Sequence, residues 1–193
     1  MNFNEIKNNF TLLRKEYERE DKLRDSLIIE SREIVKESKK IIYSVHRNDF
    51  SAASKSVEEI KKSVKELLKK TKSRISDVGY LRNAFQEYVE ALCFYEFAKN
   101  KKIPKQNELF VDVESYLLGI CDFTGELVRF AVNNFLKKDF DKVLEVKDVV
   151  EMIYNELMLF DFRSGELRGK FDSIKYALKK LEDLTIDIAK MTK

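Results

Sequence analysis

Two pairs of carboxylates stand out because their surroundings are apolar. One is Glu87 and Glu90, in the run Gln86-Glu87-Tyr88-Val89-Glu90; the other is Asp122 and Glu126, in the run YLLGICDFTGELVRFAV. Spacings of three and four residues put each pair on one face of a helix, where like charges destabilise an isolated helix by roughly 0.2–0.5 kcal/mol per pair. Burial makes the repulsion far worse unless a cation or a proton compensates. Four carboxylates on two facing helices would form an all-oxygen site suited to Mg²⁺ or Mn²⁺. A di-iron centre fits less well, since it uses Glu-x-x-His on two helices and neither segment has a histidine. From spacing alone, an ordinary solvated acidic face with Arg82 and Arg129 as local partners comes first. Gly119 and Gly125 each cost the second segment about 1 kcal/mol of helix stability. Close approach of a neighbouring helix or a ligand would explain them.

Other chemistries are curtailed by composition. The single histidine, His46, excludes multi-histidine metal sites and makes any histidine-based triad depend on one residue. Neither G-x-x-x-x-G-K-[ST] nor G-x-G-x-x-G occurs, so the usual signs of a phosphate-cradling loop are missing. Cys93 and Cys121 lie in apolar helical runs without CxxC spacing, which reads as buried free thiols in a reducing compartment. No uncharged apolar run reaches about 18 residues, and the opening MNFNEIKNNF lacks a signal-peptide core. The expectation is a soluble, cytoplasmic protein with no membrane partner. Net charge is +3, from 37 basic and 34 acidic residues, so the distribution of charge matters more than its sum.

The elements that must position these residues are helices. With 5 glycines and 1 proline in 193 residues, the chain lacks the punctuation of many short strands and tight hairpins. Apolar spacing predicts six long segments, at about 4–45, 49–70, 76–101, 112–138, 139–159 and from Ser164 onward. The first is expected to bend near Arg24–Ser26 and the fifth to break near Leu144. Residues 103–111 read as a loop, and Asp49 as an N-cap. Short connections imply antiparallel neighbours, and no linker or repeat divides the chain, so residues 1–193 read as one all-α antiparallel bundle. On a helical wheel Val78, Leu81, Tyr88, Val89 and Leu92 share the side of Phe85, yet Phe94, Phe97 and Ala98 occupy the other. A helix apolar all round is buried against neighbours or other subunits, which favours a homo-oligomer.

At these same residues the chain resembles the translin family, and within it translin-associated factor X more than translin proper. Tyr116-Leu117-Leu118-Gly119-Ile120-Cys121-Asp122-Phe123-Thr124-Gly125-Glu126-Leu127-Val128-Arg129 is similar to the family's YLLG-x-x-D-x-TGEL-x-R helix. Gln86-Glu87-Tyr88-Val89-Glu90-Ala91 resembles the factor X stretch that translin lacks. Ser31-Arg32-Glu33-Ile34-Val35-Lys36-Glu37-Ser38-Lys39-Lys40 with His46-Arg47, and Leu167-Arg168-Gly169-Lys170-Phe171-Asp172-Ser173-Ile174-Lys175-Tyr176, resemble first- and last-helix segments. The likeness runs from about Lys22 to Lys180. It implies about seven helices, a closed octameric barrel and binding of single-stranded RNA or DNA. It also implies a Mg²⁺-dependent endoribonuclease site, which falls residue by residue on Glu87, Glu90, Asp122 and Glu126. The chain looks like a prokaryotic, archaeal-type version able to act as a homo-oligomer.

Metal-assisted phosphodiester hydrolysis follows from that resemblance, with Asp122, Glu87 and Glu90 mainly as ligands and Glu126 as base. RNA phosphates need cations beside the acids. Arg32, Lys36, Lys40, Tyr43 and Arg47 recur near one face of the first helix, with Lys39 and His46 alongside, and Arg129 lies one turn from Glu126. Such a stripe can follow a phosphate backbone, while Tyr43 or His46 could stack on a base. Lys61, Lys62, Lys65, Lys69, Lys70 and Lys72 read as plain surface. The competing reading is a translin-type binder without catalysis.

Overall fold

The computed structural model describes residues 3–71 and 79–192. Seven helices follow one another: α1 Phe3–His46, α2 Phe50–Thr71, α3 Gly79–Asn100, α4 Gln106–Leu109, α5 Val113–Leu136, α6 Phe140–Leu157 and α7 Glu166–Met191. The expected Ser76 start of the third segment, Val78 on its wheel and Lys72 on the surface lie outside the described residues. Among the described residues there is no strand, and no helix is long and apolar enough to cross a membrane.

Local chemistry sets the helix ends. Asp49 accepts from the Ala52 backbone N–H at 3.0 Å, and Asp112 accepts from the Ser115 N–H at 2.9 Å and from its hydroxyl at 2.6 Å. Both are N-caps that satisfy donors the first turn leaves open. The scarce glycines are explained at the opposite ends. Asn48, Lys101, Phe110 and Lys138 all take left-handed φ of 56–61°, so non-glycine residues turn the chain. After α1 and α5 the turn is closed by Asp49 N–H to Ser44 O at 2.9 Å and Asp139 N–H to Asn134 O at 3.0 Å. Three-residue connections at 47–49 and 137–139 leave α2 and α6 only the antiparallel course back along α1 and α5.

Two local expectations change. Residues 106–109, expected as loop, form α4; it is too short for a hydrophobic period to reveal. α6 runs unbroken through Leu144. Beyond 103–111, the described segment ends fall within two residues of where apolar spacing puts them.

Packing runs α1 to α3 to α5 to α7, with α2 laid on α1 and α3, and α6 on α5 and α7. The buried apolar side chains of all seven helices join one core. The full apolar circumference of α3 is therefore covered inside the chain, by α1, α2 and α5, and does not by itself require another subunit. Exposed apolar surface lies elsewhere. The first half of α1 carries Phe3, Phe10, Leu12, Leu13 and Tyr17 in the open, and the α6–α7 turn carries Leu159 and Phe160.

Gly119 lies where α5 meets α3. A Cβ there would fall 2.6 Å from Val89 Cβ and 2.7 Å from the Gln86 carbonyl oxygen, so only glycine lets the two helices come this close. Gly125 has no such neighbour and is exposed, which corrects the expectation of close approach there within the chain.

Candidate active site

Close contact of α3 with α5 puts Glu87 and Glu90 beside Asp122 and Glu126. Glu87, Glu90 and Glu126 line one cavity of about 230 Å³ with Lys39, Ile42 and Tyr43 of α1 and Arg129 of α5. Asp122 stands close behind it, since its charge acts on both Glu87 and Glu90. The acids are neither fully buried nor solvated; the Asp122, Glu126 and Glu87 side chains are 24%, 20% and 19% exposed.

The four carboxylates differ in what they touch. Asp122 accepts the Lys170 ammonium of α7 at 2.6 and 2.9 Å, and Gln86 Nε2 of α3 at 2.5 Å. Glu126 accepts from His46 Nε2 at 2.5 Å, with the Arg129 guanidinium 3.8 Å away. Glu87 faces Lys39 more loosely, at 3.9 Å. Glu90 makes no hydrogen bond or ion pair among the described residues. Burial, then the repulsion of Asp122, Glu87 and Glu126, pushes its carboxyl up to about 8. Burial also pushes Glu87 upward, partly opposed by Lys39. The acids thus share one electrostatic site, in which Asp122 and Glu126 raise the proton affinity of both Glu87 and Glu90.

Two of the basic residues foreseen on α1 meet the acids. The exposed Lys39 lies 3.9 Å from Glu87 at the rim. His46, the last residue of α1, is only 6% exposed at its side chain and lies against Phe94, with ring centroids 4.7 Å apart. That position overturns its assignment to base stacking: the ring is covered by α3 and bonded to Glu126, and its Nδ1 has no hydrogen-bond partner. Tyr43 is 53% exposed, with the Arg129 guanidinium 5.8 Å from its ring centre, so this pair forms the open wall of the cavity. Arg32, Lys36, Lys40 and Arg47 are exposed along α1 and the turn after it; Lys36 and Lys40 pair with Glu33 and Glu37 at 3.2 and 3.3 Å. Arg82, a partner expected from spacing, pairs instead with Glu114 at 3.4 Å. Lys170 and Gln86 join the site although spacing assigns neither to it; both fall in stretches that resemble the family's, which is the one sequence signal that marks them. Gln86 adjoins Glu87, but Lys170 is 48 residues from Asp122, and no local pattern connects them.

Four carboxylates offer only oxygen donors, which suits a hard divalent cation. An under-compensated acid, Glu90, fits the same need. As placed, however, among the described residues no three His, Cys, Asp or Glu side chains are arranged around one ion position. Lys170 already contacts both oxygens of Asp122, and His46 one oxygen of Glu126.

Among the described residues helices alone, with an acidic cleft flanked by Lys39 of α1 and Arg129 of α5, define the class: an all-α protein whose core contact carries carboxylates and cations side by side. The chain belongs to the translin family, whose profile matches residues 22–189. An uncharacterized protein of Methanocaldococcus jannaschii is 32% identical over 163 residues, 83% of this chain and 73% of that protein. Translin-associated protein X of Pongo abelii is 26% identical over 137 residues, and the match spans 53% of this chain and 47% of the relative. Among solved structures, apo-NeC3PO superposes with a TM-score of 0.87 at 30% identity, covering 92% of this chain and 96% of that one. AfC3PO in complex with duplex RNA superposes with a TM-score of 0.74 at 26% identity, covering 94% and 96%.

Proposed function

We propose that this chain binds single-stranded RNA or DNA as a homo-oligomer and cleaves RNA by metal-dependent phosphodiester hydrolysis at Glu87, Glu90, Asp122 and Glu126. The gathering of four acids from α3 and α5, three lining one half-buried cavity and Asp122 behind it, carries this reading. A folded protein holds like charges together only where something offsets them. Glu87, Glu90 and Asp122 are the residues that would hold Mg²⁺ or Mn²⁺, which when bound supplies charge neutralisation at the scissile phosphate. Glu126 is the base, its carboxylate held in place by His46 at 2.5 Å. Lys39 and Arg129 stand at the cavity wall, where they would meet a phosphate. Tyr43 offers an exposed ring, and Arg32, Lys36, Lys40 and Arg47 extend the positive face along α1.

RNA as ligand is supported by the complex of AfC3PO with duplex RNA. Because that RNA is a duplex, both single and double strands belong in the binding test. Assembly, to an octamer on the family's pattern, is supported by the apolar residues that α1 leaves exposed. Cys93 and Cys121 are unpaired and buried, which supports a reducing, cytoplasmic setting.

One observation favours the second reading, a binder without catalysis: Asp122 and Glu126 are already bonded to basic side chains. Incubating end-labelled single-stranded RNA with the protein in Mg²⁺ or in EDTA separates the two. The hydrolase reading expects cleavage only with Mg²⁺, and none from Asp122→Asn with unchanged helical circular dichroism and sedimentation. RNA retained but intact in Mg²⁺, or cut equally by Asp122→Asn, overturns it.

A further inference from the structure

Of the lysine–carboxylate pairs between residues far apart in the chain, Lys170–Asp122 has the most enclosed lysine: 26% exposed, against 45%, 48% and 55% for Lys70, Lys101 and Lys39. Many other ion pairs are local, three or four residues apart on one helix and well exposed. Such pairs contribute little. Lys170 instead reaches from α7 across to α5, and both partners are only about a quarter exposed, at 26% and 24%. Its ammonium contacts both carboxylate oxygens, at 2.6 and 2.9 Å, while Gln86 donates to the second. Asp122 therefore has little acceptor capacity left for a cation. Lys39, by comparison, stands 3.9 Å from Glu87 with 55% of its side chain in solvent. Lys170 also acts beyond Asp122: its charge lowers the proton affinity of Glu87 and Glu90, so it offsets the cluster as a whole.

We propose that Lys170 is the cluster's built-in counter-ion, holding Asp122 where a divalent cation would otherwise sit and leaving that carboxylate when the cation binds. The inference rests on the divalent-cation reading of the acids and adds a competitor to it. A lysine suits the part because its head is a compact, flexibly mounted point charge with three donors, able to leave and return without moving the backbone. Without Lys170 or a divalent cation, Asp122 would be a half-buried carboxylate with no cation of its own. The released ammonium stays within a side chain's reach of the cleft, where an anionic substrate needs positive charge. Lys170 is in this sense a positioning residue, acting through Asp122.

Mn²⁺ binding to the full chain, followed by the electron paramagnetic resonance of free Mn²⁺, tests this without reference to cleavage. Lys170→Met should bind Mn²⁺ about tenfold more tightly than the unaltered protein, the fold-change expected from removing one charged hydrogen-bonded competitor. Lys170→Arg keeps a competing cation and should stay near the unaltered affinity. Lys39→Met removes the same charge from a looser pair and should change affinity less than about twofold, as for an exposed pair. Mass spectrometry after reductive methylation gives the second readout: the Lys170 amine should react slowly in EDTA and faster with Mn²⁺. Equal or weaker Mn²⁺ binding by Lys170→Met, or an amine that Mn²⁺ fails to expose, overturns the inference while the metal site stands. Absence of Mn²⁺ binding in both the unaltered protein and Lys170→Met overturns the metal reading and this inference with it.

Discussion

Glu90→Gln should make the protein more stable at alkaline pH and leave it nearly unchanged in acid. Glu90 ionises near 4.5 in an unfolded chain, whereas in the fold burial and three neighbouring carboxylates move it to about 8. Below pH 4.5 the residue is neutral in both states and costs nothing. As pH rises toward 8 the unfolded chain loses this proton first, and stability falls across that window. The full displacement corresponds to at most about 5 kcal/mol. The other acids share the repulsion and the side chain is not fully dry, so about 2 kcal/mol is the expected gain for glutamine above pH 8. For a chain of this length that is a rise of about 4–8 °C in Tm. Thermal melts of both proteins in EDTA, from pH 4.5 to 9, measure it. The unaltered protein should lose stability across the interval and Glu90→Gln should lose distinctly less. Parallel curves, or a glutamine variant weaker at pH 9 than at pH 4.5 by the same amount as its parent, would show that Glu90 feels no such repulsion and would undo the shared-site reasoning.

Two further predictions concern packing and charge. Gly119→Ala should cost about 1–3 kcal/mol in urea unfolding, because its methyl meets Val89 and the Gln86 carbonyl within 2.7 Å. Gly125→Ala, in open space on the same helix, should gain up to about 1 kcal/mol; a gain at both positions would mean that α3 and α5 are farther apart than described. Removing charge at Arg32, Lys36 and Lys40 together should weaken binding of a labelled oligonucleotide. Its salt dependence should flatten by about 2–3 in the log–log slope, a little under one for each phosphate no longer neutralised. An unchanged slope would take the α1 stripe out of the interface.

What is legible in the sequence is what sits within a few turns of itself. Asp49 and Asp112 announce helix starts because capping is settled by neighbours one turn away. Glu87 with Glu90, and Asp122 with Glu126, announce shared faces by their spacing, and Gly119 announces a close crossing. The partners that give those faces their chemistry come from far along the chain. His46 lies 80 residues before Glu126 and Lys170 lies 48 after Asp122, each on a helix whose own period says only which side faces inward. Two expectations are amended for the same reason. The basic stripe of α1 is expected with His46 alongside it, because nothing local reveals that α3 lies over its end. The apolar circumference of α3 suggests a subunit contact, because nothing local reveals that α1, α2 and α5 surround it; the apolar surface free for self-association lies elsewhere. An acidic pair on a helix is therefore an incomplete sentence until its cations are known. Here a tight one, Lys170, and a loose one, Lys39, sit beside an acid with no hydrogen-bond or ion-pair partner among the described residues, Glu90. That inequality bears on whether the cluster is a structural ion-pair network or a cation site. A network evolved only for stability would give each of its acids a cation, since a half-buried carboxyl left without one must hold a proton or bear an unpaired charge. The most strongly shifted carboxyl of the cluster is the one left without such a partner, and that arrangement favours a site kept available for something to bind.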